Sequence, residues 1–373
     1  PSGFIGAAAA VQGIKDATVV LHGQNGCRKG LLTSQRLLVR TDDRDIGFYG
    51  KDGAIPYSNI RPEDYYKGTV QKLEAVIDHV ESEDYALKVV MCSPGLSLVG
   101  DDLKGVTSSG GNTMILDTDD LPQDCPGGYD QCISSIIERL DAGAGEKVPN
   151  GVNIIGLSIM HKDWSSFAHE LCHLLKDAGF RVLCVLGAGC TVGDIAISVN
   201  ASYNIVVDPS YCKFTEELYR DRYGISPISI GECPIGYDAI ERLFMEVKSI
   251  TGTLPEHGMS MLRKSKRRAY DGIVVSGKSM RGRTFSIIAG DTTRRPLKEW
   301  LEESFGMVEC ADHPDYLFAP GNIAILEQAS GRCGKGVDIG FPSSSESNFL
   351  KRPLMGLEGC MYILDALFNR CCG

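Results

Sequence analysis

The sequence contains no Cys-x-x-Cys pair, so its thiols form no contiguous zinc motif. It has no Gly-x-Ser-x-Gly elbow of a serine hydrolase. No stretch approaches the roughly 18 consecutive apolar residues of a membrane span. Positive charge is in deficit: the net charge of −10 provides no basic face for a nucleic acid. The single basic run, Arg263 to Arg268, reads as the solvated side of a helix. The small-residue opening, Pro1 to Val11, lacks the basic stretch of a signal peptide, and a cytoplasmic location is expected.

What is abundant is cysteine, 14 in 373 residues, in a chain otherwise 43% hydrophobic and 23% charged. Secreted disulfide proteins are small; a large chain with this many thiols either buries them or uses several on metal. Apolar β-branched runs alternate with helical periodicity throughout. Strand-like runs are 18–21, 88–92, 114–116, 153–159, 182–186, 205–207, 228–230, 284–289 and 337–339. Amphipathic stripes lie between them, such as Val70, Leu73, Ile77 and Val80. Strand–helix alternation of this kind predicts an α/β fold of parallel sheets covered on both faces. Three Rossmann-like units are expected over 1–150, 151–255 and 283–342, the third shortened. A charged helix over 256–281 precedes the third, and a final helix over 356–370 is expected to return to the first.

In parallel sheets, sites form beyond the carboxyl ends of the strands. After the first strand comes His22-Gly23-Gln24-Asn25-Gly26-Cys27, where Gly23 and Gly26 permit a sharp turn and Cys27 opens a helix. Cys92 ends the next strand and precedes Gly100-Asp101-Asp102. Asp124 and Cys125 follow the third. Thiols delivered by three successive loops suit an iron–sulfur cluster. The second unit repeats the pattern, with His161, Cys190, Cys212 and Cys233 each following a strand, as candidates for a second centre or substrate pocket. A competing reading is a dinucleotide loop at Gly187-Ala188-Gly189-Cys190-Thr191-Val192-Gly193, with Asp208 as the ribose-binding acid. Its third glycine falls one residue late.

Several segments, taken in order, resemble component 1 of nitrogenase and its relatives. That family includes the nitrogenase subunits, cofactor-assembly scaffolds and the reductases of chlorophyll and related tetrapyrrole synthesis. Ser2-Gly3-Phe4-Ile5-Gly6-Ala7 resembles the family's opening C-x-P-x-G-A, and His22 to Cys27 its HGxxGC. Gly100-Asp101-Asp102-Leu103 matches GDDL; Gly128-Tyr129-Asp130 lies in a segment like TPxF…G[YW]D. Ile339-Gly340-Phe341-Pro342 and Gly356-Leu357-Glu358-Gly359 are most similar to the IGFP…GYEG of β-type subunits.

The resemblance implies three Rossmann-like domains, pairing with a like subunit, an iron–sulfur cluster (4Fe–4S or larger) near the subunit interface, and electrons from an ATP-hydrolysing iron protein. It assigns cluster ligation to Cys27 and Cys92. Cys125 is third, with Asp124 its rival at the position of a serine that ligates in β-type subunits. Ser2 stands where the family has its first cluster cysteine. The anchor of the α-type catalytic cofactor falls nearer Asp208 than Cys212, so a second metallocluster remains open. The leading expectation is a redox subunit of a nitrogenase-like reductase; the alternatives are an assembly scaffold and a thiol-rich binding module.

Overall fold

The computed structural model describes residues 2–36, 55–81, 85–101, 103, 106, 111–116, 118–140, 143, 145–343 and 350–369. Asp102 of the GDDL segment and Pro1 lie outside the described residues.

The apolar runs become strands, and every pairing between strands is parallel. The first unit comprises α1 (Gly3–Gln12), β1 (Ala17–His22), α2 (Asn25–Arg36), α3 (Asp64–Lys67), α4 (Val70–Glu81), β2 (Leu87–Cys92), β3 (Thr113–Leu116) and α5 (Cys125–Leu140). Its sheet has the order β1-β2-β3. The second comprises β4 (Gly151–Ile155), α6 (Trp164–Asp177), β5 (Arg181–Val185), α7 (Val192–Ser198), β6 (Tyr203–Val206), α8 (Lys213–Tyr223), β7 (Ser226–Ile228) and α9 (Tyr237–Thr251), with sheet order β5-β4-β6-β7. The charged helix α10 (Glu256–Ser276) follows and carries Arg263 and Arg268 exposed to solvent. The third comprises β8 (Thr284–Ile287), α11 (Asp291–Phe305), β9 (Val308–Glu309), β10 (Tyr316–Ala319), α12 (Gly321–Ala329) and β11 (Lys335–Asp338), in the order β11-β10-β8-β9. The last helix is α13 (Gly356–Phe368). No helix among the described residues is long and apolar enough to cross a membrane.

β1 is buried along its whole length, as a parallel strand covered on both faces must be. The cores run across the units. One cluster joins α1, α5 and the first sheet to Leu186, Val206 and Tyr219 of the second unit. Another joins α6 and α9 to the third sheet and α13. The small residues of the opening serve this packing. A Cβ on Gly6 would stand 2.0 Å from the Cys125 carbonyl oxygen, and one on Gly128 would stand 2.2 Å from that of Gly3. Only glycine lets α1 and α5 approach so closely.

The final helix departs from expectation. It packs on α6, α9 and α10 instead of returning to the first unit. The cause is chemical as well as apolar. Glu170 of α6 accepts the amides of Leu357 (2.7 Å) and Glu358 (3.1 Å), the second and third residues of α13. An N-cap side chain satisfies these same donors, and α13 has none of its own. Glu170→Ala is therefore expected to cost about 1–2 kcal/mol by urea unfolding and to raise amide exchange across α13. Unchanged exchange in α13 would count against the cap.

Candidate functional site

β1 and β2 pair from Ala17↔Leu87 to His22↔Cys92, so the loops after both strands leave one sheet edge side by side. A Cβ on Gly23 would lie 2.6 Å from the Ser93 side chain, so this loop pair requires glycine; Gly26 meets nothing within 4 Å. Cys27 stands in the first turn of α2 and Cys92 ends β2; both are half-buried. The Cys92 carbonyl accepts the Thr118 hydroxyl at 2.5 Å, which ties its loop to the chain beyond β3.

Cys125 and Asp124 are placed differently. Cys125 is buried, its Sγ 3.5 Å from Met160 Sδ of the second unit. Burial pushes its thiol up to about 12, so it packs there as a neutral group. Asp124 is exposed and caps α5, Oδ2 accepting the Gly127 amide at 3.0 Å. Its backbone bridges Ser2, which is exposed and makes no side-chain cap to α1. Among the described residues, no three His, Cys, Asp or Glu side chains converge to hold a metal ion. Cys27 and Cys92 thus fit an iron–sulfur cluster as two soft donors, a set that one chain's described residues do not complete.

His22, fully buried, joins the two loops. The Gly23 amide donates to Ser58 Oγ (3.0 Å), and Ser58 Oγ lies 2.9 Å from His22 Nδ1. His22 Nε2 lies 2.9 Å from Thr69 Oγ1, which donates to Asp101 Oδ2 (2.5 Å). Because the carboxylate only accepts, Thr69 takes its proton from Nε2 and Ser58 gives its own to Nδ1. The neutral Nε2–H tautomer follows, and the chain runs in one direction from the Gly23 loop to Asp101. Burial lowers the His22 pKa from 6.5 to about 4, against the opposing pull of Asp101. The unfolded chain takes up its proton near pH 6.5, the folded one only near 4. This contribution is complete above pH 6.5 and is lost as pH falls through 4, about 3 kcal/mol in all. Urea unfolding of wild type and His22→Gln across that window should show a shallower pH dependence in the variant; equal slopes would remove His22 as the cause.

A second site lies where two sheets meet. In the second sheet β4 is entered first, β5 lies on one side of it and β6 and β7 on the other. The chain reverses between β4 and β6, and ligands of open α/β sheets bind at such a point. The third sheet reverses between β8 and β10. The two reversal points face one cavity of about 170 Å³, lined by His161, Asp208 and Tyr211 from one side and Gly290, Thr292 and Gly340 from the other. His161 and Gly340 are bridged through their backbones. Ser158 N–H donates to His161 Nδ1 (3.0 Å), leaving the ring proton on Nε2, 3.1 Å from Asp208 Oδ2. Burial would raise the Asp208 carboxyl, but His161 and the Ser210 amide and hydroxyl hold it below the usual range. The Tyr211 hydroxyl has no hydrogen-bond partner among the described residues. It is pushed well up by burial and by Cys125, Asp208, Cys233 and Asp124 around it.

Of the four residues expected here, only His161 lines the cavity. Cys233 sits behind it, its Sγ 3.5 Å from Thr293 Oγ1, and burial and Asp208 raise its thiol. Cys212 Sγ turns back to the Asp208 carbonyl at 3.4 Å, and Cys190 pairs with Cys184 in the core shared by the first two units. The cavity's donors, one histidine and one carboxylate already bonded to each other, do not fit a second metallocluster. Asp208 followed from the strand-end rule that selected Cys212; Tyr211 carried no sequence signal beyond its place two residues after a proline.

Two sequence patterns are used inwardly. The Gly187–Gly193 loop opens α7, but the Val192 amide goes to Asp16 Oδ1, the Asp194 amide to Thr191, and the Thr191 amide to Asp194. Those three amides are thus already taken where a pyrophosphate would need them, and Gly187 is small because a Cβ would meet the Tyr129 hydroxyl at 2.0 Å. The segment His169-Glu170-Leu171-Cys172-His173 on α6 has zinc-protease spacing. Its glutamate, however, caps α13 and its histidines are exposed.

Comparison with known proteins accords with this architecture. The family profile described as nitrogenase component 1 type oxidoreductase matches residues 2–308. A chain of nitrogenase Cp1 at pH 5 superposes with a TM-score of 0.64 at 18% identity, covering 84% of this chain and 63% of that one. This chain therefore spans less than two thirds of that subunit. A chain of nitrogenase Cp1 at pH 6.5 gives 0.73 at 13% identity, covering 98% and 90%. No curated protein matches the sequence.

Proposed function

This chain belongs to the nitrogenase component 1 type oxidoreductases, and from that premise we propose that it is an iron–sulfur redox subunit of a nitrogenase-like reductase. It receives electrons from an ATP-hydrolysing iron protein and passes them to an acceptor. The observation that carries this reading is the pairing of His22 with Cys92, which sets Cys27 and Cys92 on adjacent loops of one sheet edge. With two thiols per chain, a like subunit completes the ligand set, in a homo- or hetero-oligomer. When bound, the cluster supplies one-electron transfer. The chain's own residues do the rest: Cys27 and Cys92 hold, and the Gly23–Ser58–His22–Thr69–Asp101 chain fixes the two loops relative to each other. In the cavity, His161 keeps Asp208 ionised, and the Tyr211 hydroxyl is available to donate a hydrogen bond to the acceptor.

The test is anoxic purification with iron and acid-labile sulfide analysis coupled to native mass. A brown oligomer with a fixed iron-to-chain ratio is expected. A protein that binds neither iron nor sulfide after anoxic reconstitution is a thiol-rich binding module. Iron without electron consumption, in the presence of an iron protein and ATP, marks an assembly scaffold.

A further inference from the structure

β5 is an edge strand: among the described residues it is hydrogen-bonded to β4 alone. An open groove of about 580 Å³ runs beside it, and all five residues from Arg181 to Val185 line it. Successive side chains of a strand point to opposite faces. A groove that touches all five therefore lies against the free edge, where backbone N–H and C=O groups are presented, and on neither face of the sheet. Its walls come from α6, through Ala168 and Cys172, and from the loop ending at Cys190.

The groove's charge is opposite to that of the protein. Lys15, Lys176 and Arg181 line it, against one acid, Asp194. None of the three cations forms an ion pair with a described residue, whereas Lys162, Lys298 and Arg332 all do. The Asp194 carboxylate is already engaged by the Thr191 amide at 2.8 Å. In a chain of net charge −10, three unpaired cations around the groove at one strand edge, Arg181 on β5, Lys176 on α6 and Lys15 before β1, are a local excess. Edge strands are commonly guarded by charge, and the same charge selects what is allowed to pair.

We propose that this groove binds an extended acidic segment of a partner protein, which adds to the second sheet as a strand beside β5. Backbone hydrogen bonds along β5 would supply affinity, and Lys15, Lys176 and Arg181 would select carboxylates at alternate positions. At about 3.3 Å per residue, β5 offers a length matched by five or six residues of peptide. The inference stands apart from the redox reading, since the groove shares no residue with the Cys27 and Cys92 edge.

A fluorescein-labelled heptapeptide alternating glutamate with valine is the probe. Its lysine–valine counterpart and a backbone N-methylated copy are the controls. The acidic peptide alone should raise anisotropy and slow amide exchange in Val182–Val185. Reversing all three cations to glutamate should weaken it about tenfold or more. Equal binding of the acidic and basic peptides, undiminished binding of the N-methylated copy, or unprotected β5 amides would overturn the proposal. So would peptide-driven dissociation of a homodimer on native mass, which would make the occupant a second copy of this chain.

Discussion

Anoxically reconstituted Cys27→Ala and Cys92→Ala are each expected to lose most of their bound iron and sulfide while keeping wild-type circular dichroism and unfolding midpoints. The fold should survive because neither thiol is a buried core residue: both are half-buried, Cys27 only packs against the edge of one apolar cluster, and Cys92 is in none. The metal should not survive, because each change removes half of the thiols that this chain offers at the edge. Cys125→Ala should behave in the opposite way. Its thiol is buried against Met160 and held neutral, so the variant should keep its iron and lose about 1 kcal/mol of packing. Ser2→Ala should also retain iron, since a hydroxyl is a poor ligand beside thiolates. Wild-type iron content in Cys27→Ala would remove the cluster assignment; loss of iron in Ser2→Ala would restore the opening segment as a ligand.

Lys162→Ala should destabilise the protein by about 3–5 kcal/mol in urea unfolding. Lys162 follows β4, and its Nζ lies 3.0 Å from Asp338 Oδ2 at the end of β11 and 5.0 Å from the centre of the Tyr362 ring. The lysine side chain is 4% exposed and the aspartate 13%. Removing the cation leaves a carboxylate in a closed interface with little water to replace it. Removing both charges should be far milder: Lys162→Met with Asp338→Asn is expected to regain most of the loss, because the methionine fills the channel and the amide oxygen still accepts the Gly340 N–H. A double variant as unstable as the single one would show that packing, not charge, dominates there.

Sheet-forming runs were legible because parallel strands buried on both faces are continuous apolar stretches; β1, β2 and β6 appear within one or two residues of where the residues place them. β9 and β10 were not legible. β9 has two residues, and Tyr-Leu-Phe-Ala at 316–319 is too short for periodicity to separate strand from helix. The run 153–159 ends early, at Ile155, because Gly156 turns with φ +78° against the Asp208 backbone. Cys27 and Cys92 could be paired from sequence since sequential strands are neighbours in the first sheet. The second cavity could not be read that way. Strand order puts β5 across β4 from β6 and β7, so the Cys190 loop leaves on the wrong side. Cys212 lies beyond the correct strand, but its side chain folds back onto its own loop.

Helix caps shared between units bear on how the molecule comes apart. Asp130 of α5 accepts the Phe214 and Thr215 amides that open α8, at 2.6 and 3.0 Å, and Asp16 and Glu170 do the same for α7 and α13. Each of these helices begins on a carboxylate from elsewhere in the chain, and two of the three carboxylates come from another unit. A fragment cut near residue 145 would expose uncapped amides on one piece and desolvated acids suddenly bare on the other. The three sheets are thus not exchangeable modules. They should melt in a single cooperative transition, and a recombinant second unit made alone should fold poorly even though its own strands and hydrophobic residues are all present.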